Sequence, residues 1–262
     1  MAVWDWRELG RDAFTQDRMA EAIVVLPIAA IEQHGPHLPV GTDALLAEGY
    51  IEELRRICPA DLDLVLMPLQ QIGWSEEHID QAGTLTSSWK HLLPLWTDLL
   101  LSGKRSGVRK AIIINSHGGN SPLMDILMQD MRVHHAMQVS ATNWLRFGSP
   151  DGLFSADEQA FGIHGGDVET SMMLHLRPDL VDMQMAQAFL SSQEDLVTTK
   201  EHLRFYGRKP MGWMASDLNE HGVVGDASIA DAEKGKALIE HIVSGFVVYA
   251  GEVADFDLPA LS

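Results

Sequence analysis

The 262-residue chain has a single cysteine, Cys58, so an internal disulfide is excluded and an oxidising compartment offers the fold nothing. It has no run approaching the roughly 18 uncharged apolar residues that a membrane span needs. Its opening, MAVWDWRELGRDAF, carries charge throughout and lacks the apolar centre of a secretion signal, so a cytoplasmic location is expected. Cations are scarce. Nineteen Lys and Arg stand against 37 Asp and Glu, a formal charge of −18, which repels phosphate backbones and anionic bilayers. Neither a nucleic acid nor a membrane is the expected partner. There is no G-x-S-x-G, so the common serine hydrolase elbow is missing, and Cys58, lying before Pro59, is a poor nucleophile candidate.

What is present is alternation. AIVVLPIA (22–29), LDLVLMP (62–68), KAIIINS (110–116) and QVSATNW (138–144) read as short strands buried on both faces, the pattern of a parallel sheet. Between them Leu46, Tyr50, Leu54 and Ile57 recur at helical spacing, as do Trp89, Leu92, Leu93, Trp96, Leu99 and Leu100, with Pro94 expected to kink or restart that helix. Ser121-Pro122 reads as the cap and first position of a helix to about 133. A last helix is expected over 229–248, with Leu238, Ile239, Ile242, Val243 and Phe246 on one face. Strands alternating with helices predict a three-layer α/β/α sandwich with a mostly parallel central sheet, formed by a single domain over 1–262. The stretches 145–162 and 184–227 read as loops and short helices over one end of the sheet.

Three loops carry ligating chemistry. EQHGPHLPVGTD (32–43) follows the first strand, at the carboxyl edge where open α/β sheets place their sites. Glu32 and His34, two apart in extended chain, can address one point, and Asp43 returns to it at the start of the next helix, with Thr42 as the expected cap. NSHGGNSP (115–122) follows another strand; His117 is a candidate ligand, and Asn120 could hold a substrate carbonyl or a neighbouring carboxylate. GIHGGDVETS (162–171) sets His164 before paired glycines and Glu169 in the first turn of a helix expected to stop before Pro178.

Glu32, His34, Asp43, His117 and Glu169 together offer three carboxylates and two imidazoles, more than one four-coordinate zinc requires. Five N/O donors suit two divalent metals sharing a carboxylate, Zn foremost with Mn or Fe as alternatives; one metal with Glu169 as base is the lesser version. A hydroxide bridging two cations is a nucleophile near neutral pH, because such cations lower the pKa of bound water from 15.7 towards about 7. The chemistry this predicts is attack on a small-molecule amide carbonyl, with His164 giving a proton to the departing nitrogen.

GWSEEHIDQAGTLTSS (73–88) follows another strand, and Trp74, Ser75, Glu77 and His78 are candidates to line a substrate pocket, as is Trp213 on a lid. His91, His134, His135, His175, His202 and His221 have no partner at ligand spacing.

In EQHGPHLPVGTD, the GTLT turn at 83–86, INSHGGNS, HGGDVETS and GVVGDASIADAEKG (222–235), taken in this order along nearly the whole chain, the sequence resembles the creatininase family of metal-dependent hydrolases. The resemblance implies a three-layer α/β fold, a two-metal site of Zn, Mn or Fe, hydrolysis of linear or cyclic amides at carbon–nitrogen bonds other than peptide bonds, and a homohexamer. It implies Glu32, His34, Asp43, His117 and Glu169 as ligands, Asp43 bridging, and His164 as the catalytic histidine. Two departures argue against creatinine as substrate: creatininase has a glutamate where this chain has Gly119, and an acid where it has Ile163. Relatives in the family deformylate a pyrimidine nucleotide or remove a terminal dipeptide from a peptide. Two other readings of the same residues are a catalytically retired member that binds a small ligand or serves as a scaffold, and a metal-dependent isomerase.

Overall fold

The computed structural model describes residues 3–259. Five parallel strands, β1 (Val3–Asp5), β2 (Ile23–Ile28), β3 (Leu64–Leu66), β4 (Lys110–Asn115) and β5 (Gln138–Asn143), form one sheet in the order β1-β3-β2-β4-β5. Alternation along β2, β3 and β4 divides their side chains between two cores. Ile23, Val25, Leu64, Leu66, Ile112 and Ile114 face one side; Val24, Leu26, Ile28, Val65, Ala111 and Ile113 face the other. Edge strand β5, expected from sequence to be buried on both faces, is only half-buried and packs Val139 and Ala141 against the second core. Edge strand β1 is only three residues long, too short for its alternation to stand out in the sequence.

The helices are α1 (Gln16–Glu21), α2 (Thr42–Ile57), α3 (Trp89–Arg105), α4 (Ser121–His135), α5 (Ala156–Phe161), α6 (Asp167–Leu176), α7 (Ser192–Thr199), α8 (Ala215–Leu218) and α9 (Ala232–Asp255). α2, α6 and α9 cover the first face through Leu46, Tyr50, Met172, Leu238, Ile242 and Phe246. On the second face α3 and α4 contribute Trp96, Leu100, Leu123 and Leu127. The result is the three-layer sandwich that the alternation implies. Burying each of these large side chains contributes on the order of 1.5–3 kcal/mol.

Several boundaries differ from the sequence reading. α3 continues through Pro94, whose missing N–H falls early in a helix anchored downstream by Trp96 and Leu100. α2 has Gly41 at its cap position, and Thr42 instead donates its hydroxyl to the Pro39 carbonyl at 2.7 Å. α4 is preceded by Asn120, which puts Ser121 inside the helix. α9 starts at Ala232, where Asp231 accepts from the amides of Glu233 and Lys234, and runs to Asp255. By length and hydropathy alone α9 could cross a bilayer, but its apolar face is buried on the sheet. The 184–227 stretch contains α7, α8 and a two-stranded antiparallel ribbon, β6 (Ala188–Phe189) with β7 (Gly225–Asp226).

The strand order positions the site. β2 continues into α2 and returns through β3 on one side, whereas β4 continues into α4 and returns through β5 on the other. A crevice therefore opens between the carboxyl ends of β2 and β4, and their following loops carry Glu32, His34 and His117.

Candidate metal centre

The loop after β2 is held by the Glu32 amide, which donates to the Val40 carbonyl at 2.8 Å, and turns at Gly35 with φ +78°. It places Glu32 and His34 beside Asp43 at the start of α2. The β4–α4 loop brings His117, and the first turn of α6 brings Glu169. Among the described residues four groups of three result, within each of which one donor atom per residue lies within 4.8 Å of the others: Glu32, His34 and His164; Glu32, Glu77 and His78; and, from the predicted ligands alone, the pair Glu32, Asp43 and His117 and His34, Asp43 and Glu169. Asp43 belongs to both members of this pair. Its Oδ1 lies 3.4 Å from His34 Nε2 and its Oδ2 lies 3.3 Å from His117 Nδ1.

Three histidines are oriented by the same device. His34 Nδ1 donates to the Glu32 carbonyl at 3.0 Å, His117 Nε2 to the Trp74 carbonyl at 3.1 Å and His164 Nε2 to the Gln33 carbonyl at 2.8 Å. A carbonyl can only accept, so each of these nitrogens carries the proton and the other ring nitrogen is turned towards the carboxylates. His34 Nε2 is 3.7 Å from Glu169 Oε2, His117 Nδ1 is 3.2 Å from Glu32 Oε2, and His164 Nδ1 is 3.5 Å from Glu32 Oε1. The His164 ring lies between those of His34 and His78, with centroids 4.1 and 4.3 Å away. Glu169 is held from its own loop, the Gly165 amide donating to its Oε2 at 2.6 Å. Gly165 sits at φ +66°, and a Cβ there would come within 2.6 Å of Val223.

Glu32, Asp43 and Glu169 are all buried, and among the described residues no Lys or Arg pairs with them. Isolated carboxylates at such depth are unfavourable unless positive charge compensates them. Their field falls on the imidazoles. Burial disfavours charge on His34, but Asp43 and Glu169 outweigh it and hold the ring at about 10. His117 is pushed well up against its own burial by Glu32 and Asp43. Burial would raise Glu32, but His117 first, then His164 and His78, keeps it well below the usual carboxylate range. His164 goes the other way, lowered by burial and by His34, and His78 falls to about 3 through burial and His164. His34 Nε2 and Asp43 Oδ2 are buried without a hydrogen-bond partner. An all-N/O donor set, orphaned atoms aimed inward and a surplus of buried negative charge fit divalent cations.

Two cavities meet here, sharing Glu32, His117, Gly118, Ile163 and His164. The larger, about 600 Å³, is walled by Trp74, Glu77, His78, Tyr206, Met211 and Trp213. The smaller, about 240 Å³, is reached past Tyr50, Asn115, Asn143 and Arg146. Trp74, His78 and Trp213, named from sequence as substrate-binding, thus line the larger cavity. Ser75 and Asn120 line neither. Ser75 is buried with its hydroxyl on Glu32 Oε2. Asn120 accepts the Trp74 amide at 2.9 Å and donates to the Ala29 carbonyl at 3.0 Å, tying the 73–78 loop to β2. Tyr206 and Met211 have no motif around them and were invisible in the sequence. His37, the other histidine of EQHGPHLP, turns away to Thr170 at 2.9 Å, and burial lowers it to about 4.

The profile of one protein family, Creatininase, described as creatinine amidohydrolase, matches residues 7–249. The mycofactocin precursor peptide peptidase of Mycolicibacterium smegmatis is 27% identical over 241 residues, 90% of this chain and 87% of its own length. A solved structure from Bacteroides fragilis, provisionally named a creatinine amidohydrolase, aligns with a TM-score of 0.78 at 24% identity, covering 99% of both chains. Creatininase, solved in an Mn form and, as a mutant, in a Zn-Zn form, aligns at 0.74 with 22% and 23% identity, covering 95% of this chain and 97% of each of those.

Proposed function

The chain belongs to the creatininase family, and from that premise we propose that it is a metal-dependent amidohydrolase built as one domain around two divalent cations. Glu32, Asp43 and His117 would hold one cation and His34, Asp43 and Glu169 the other, Asp43 bridging. Zinc suits this donor set, and the Mn and Zn-Zn forms of creatininase support either metal. When bound, such a pair acidifies water and polarises a carbonyl.

The chain's own residues supply the rest. Trp74, Ile163 and Trp213 line the larger cavity and flank the substrate's route to the centre. His164 is the proton carrier. Its Nε2 is tied to Gln33, its Nδ1 faces the centre, and burial keeps the ring neutral, so it can take a proton at Nδ1 and release it to a departing nitrogen. Glu169 acts as ligand and, through the oxygen not held by Gly165, as proton acceptor. Ser75 braces Glu32 through its hydroxyl, His78 stands 3.6 Å from the other Glu32 oxygen in the cavity wall, and Asn120 holds the loop that carries them.

The observation that carries this reading is the position of Asp43 between two histidines with its two oxygens turned to different rings. The substrate is an amide; because the mycobacterial relative is named a peptidase, short peptides belong with lactams, formamides and ureides in the panel. Chelation should abolish turnover, and Zn, Mn or Fe should restore it; turnover that survives chelation refutes the reading. Homohexameric assembly in the cytoplasm completes it, and sedimentation velocity tests the assembly.

A further inference from the structure

Glu77 is a carboxylate beside the centre that belongs to neither of the two triads that share Asp43. It lies within donor reach of Glu32 and His78, its side chain only 17% exposed, in the wall of the larger cavity. Its nearest positive partner is His117 Nε2 at 3.3 Å, but that N–H is already donated to the Trp74 carbonyl at 3.1 Å. Among the described residues no Lys or Arg pairs with Glu77, and none lines the larger cavity. The only such cation at either cavity is Arg146, on the smaller side. Room for the carboxylate depends on Gly119, since a Cβ there would collide with Glu77 Oε1. Three aromatic rings, Trp74, Tyr206 and Trp213, line the same cavity, the last two packed edge to face at 6.4 Å.

A carboxylate in a partly dry wall attracts positive charge more strongly than one in water, and indole and phenol faces attract the same charge through their quadrupoles. We propose that Glu77 with Trp74, Tyr206 and Trp213 forms a subsite for an organic cation, making the preferred substrate an amide with a positively charged amine near the scissile carbonyl. The amine end occupies the larger cavity, and the Arg146 side repels it. The placement of the amide rests on the hydrolase reading above; the cation subsite does not.

The test is calorimetric binding to the metal-loaded protein. Phenethyltrimethylammonium, which has no lone pair to offer a metal, is compared with neutral 2-phenylethanol. The cation should bind at least about tenfold more tightly. Glu77→Gln, at unchanged metal content, should bring the ratio close to one, and Glu77→Asp should give an intermediate ratio that can be read alone if the glutamine variant does not fold. A ratio near one in the wild type, or a ratio unchanged in these variants, overturns the subsite. In a second arm, L-phenylalaninamide should be turned over in preference to 3-phenylpropanamide, and Glu77→Gln should erase the preference through KM. Absence of turnover on both would count against the hydrolase reading, with the binding ratio still deciding the subsite.

Discussion

Asp43 Oδ2 stands 3.3 Å from His117 Nδ1 while the second oxygen of the same carboxylate faces His34, so one buried side chain links the loop after β2 to the loop after β4. If both cations lean on it, its loss should be felt twice. Asp43→Asn is expected to empty both sites, whereas His117→Ala should empty one and leave a single metal on His34 and Glu169. Elemental analysis of the dialysed variants distinguishes about zero from about one metal per chain, and equal losses would contradict a shared carboxylate.

His164 separates chemistry from binding. Its bond to the Gln33 carbonyl and its tilted packing against the rings of His34 and His78 orient it without requiring that it hold a cation. His164→Ala should keep the metal content of the wild type and lose on the order of 10²–10⁴ in kcat. Metal loss matching that of His34→Ala would put His164 among the ligands.

Metal uptake should release protons. Without a cation, the carboxylates raise His34 to about 10 and His117 well above its usual value, which favours protons on both rings. A cation must displace those protons, so affinity falls as pH falls and rises until the raised values are passed. Zinc titrations in two buffers of different ionisation enthalpy should differ in observed heat by the protons released. Identical heats would contradict the proton balance.

Gly165 joins backbone strain to the site. At φ +66°, with Val223 within 2.6 Å of where a Cβ would fall, Gly165→Ala should lower stability by on the order of 1–3 kcal/mol and move the amide that holds Glu169. Denaturant unfolding gives the first number and metal content the second. Unchanged stability would mean the loop relaxes freely.

Ser75→Ala removes the hydroxyl that braces Glu32 and should weaken binding at the Glu32 site by about 10–100-fold, measured by competition with a chromogenic chelator. Unchanged affinity would leave Ser75 a packing residue only.

Much of this was legible in the sequence because each signal was local. Apolar runs such as KAIIINS announce strands buried on both sides, and the ligating residues fall directly after them or at helix starts. The two triads needed the strand order, which no motif encodes, since it is the crevice between β2 and β4 that makes Asp43 common to both. Glu77 was already a pocket candidate in the sequence, but Tyr206 and Met211 acquire meaning only when 73–78 and the irregular 184–227 stretch are folded over one cavity. Asn120 and Ser75 showed the limit of reading polarity as exposure. Both are polar beside the site, yet their hydrogen bonds go to the Trp74 amide and to Glu32.

The most direct test is an anomalous difference map from crystals of the zinc-loaded protein. It should show two peaks about 3.5–4 Å apart, one on each side of the Asp43 carboxylate, the first against Glu32 and His117 and the second against His34 and Glu169. A single peak, or peaks that leave Asp43 untouched, would contradict the paired-cation centre.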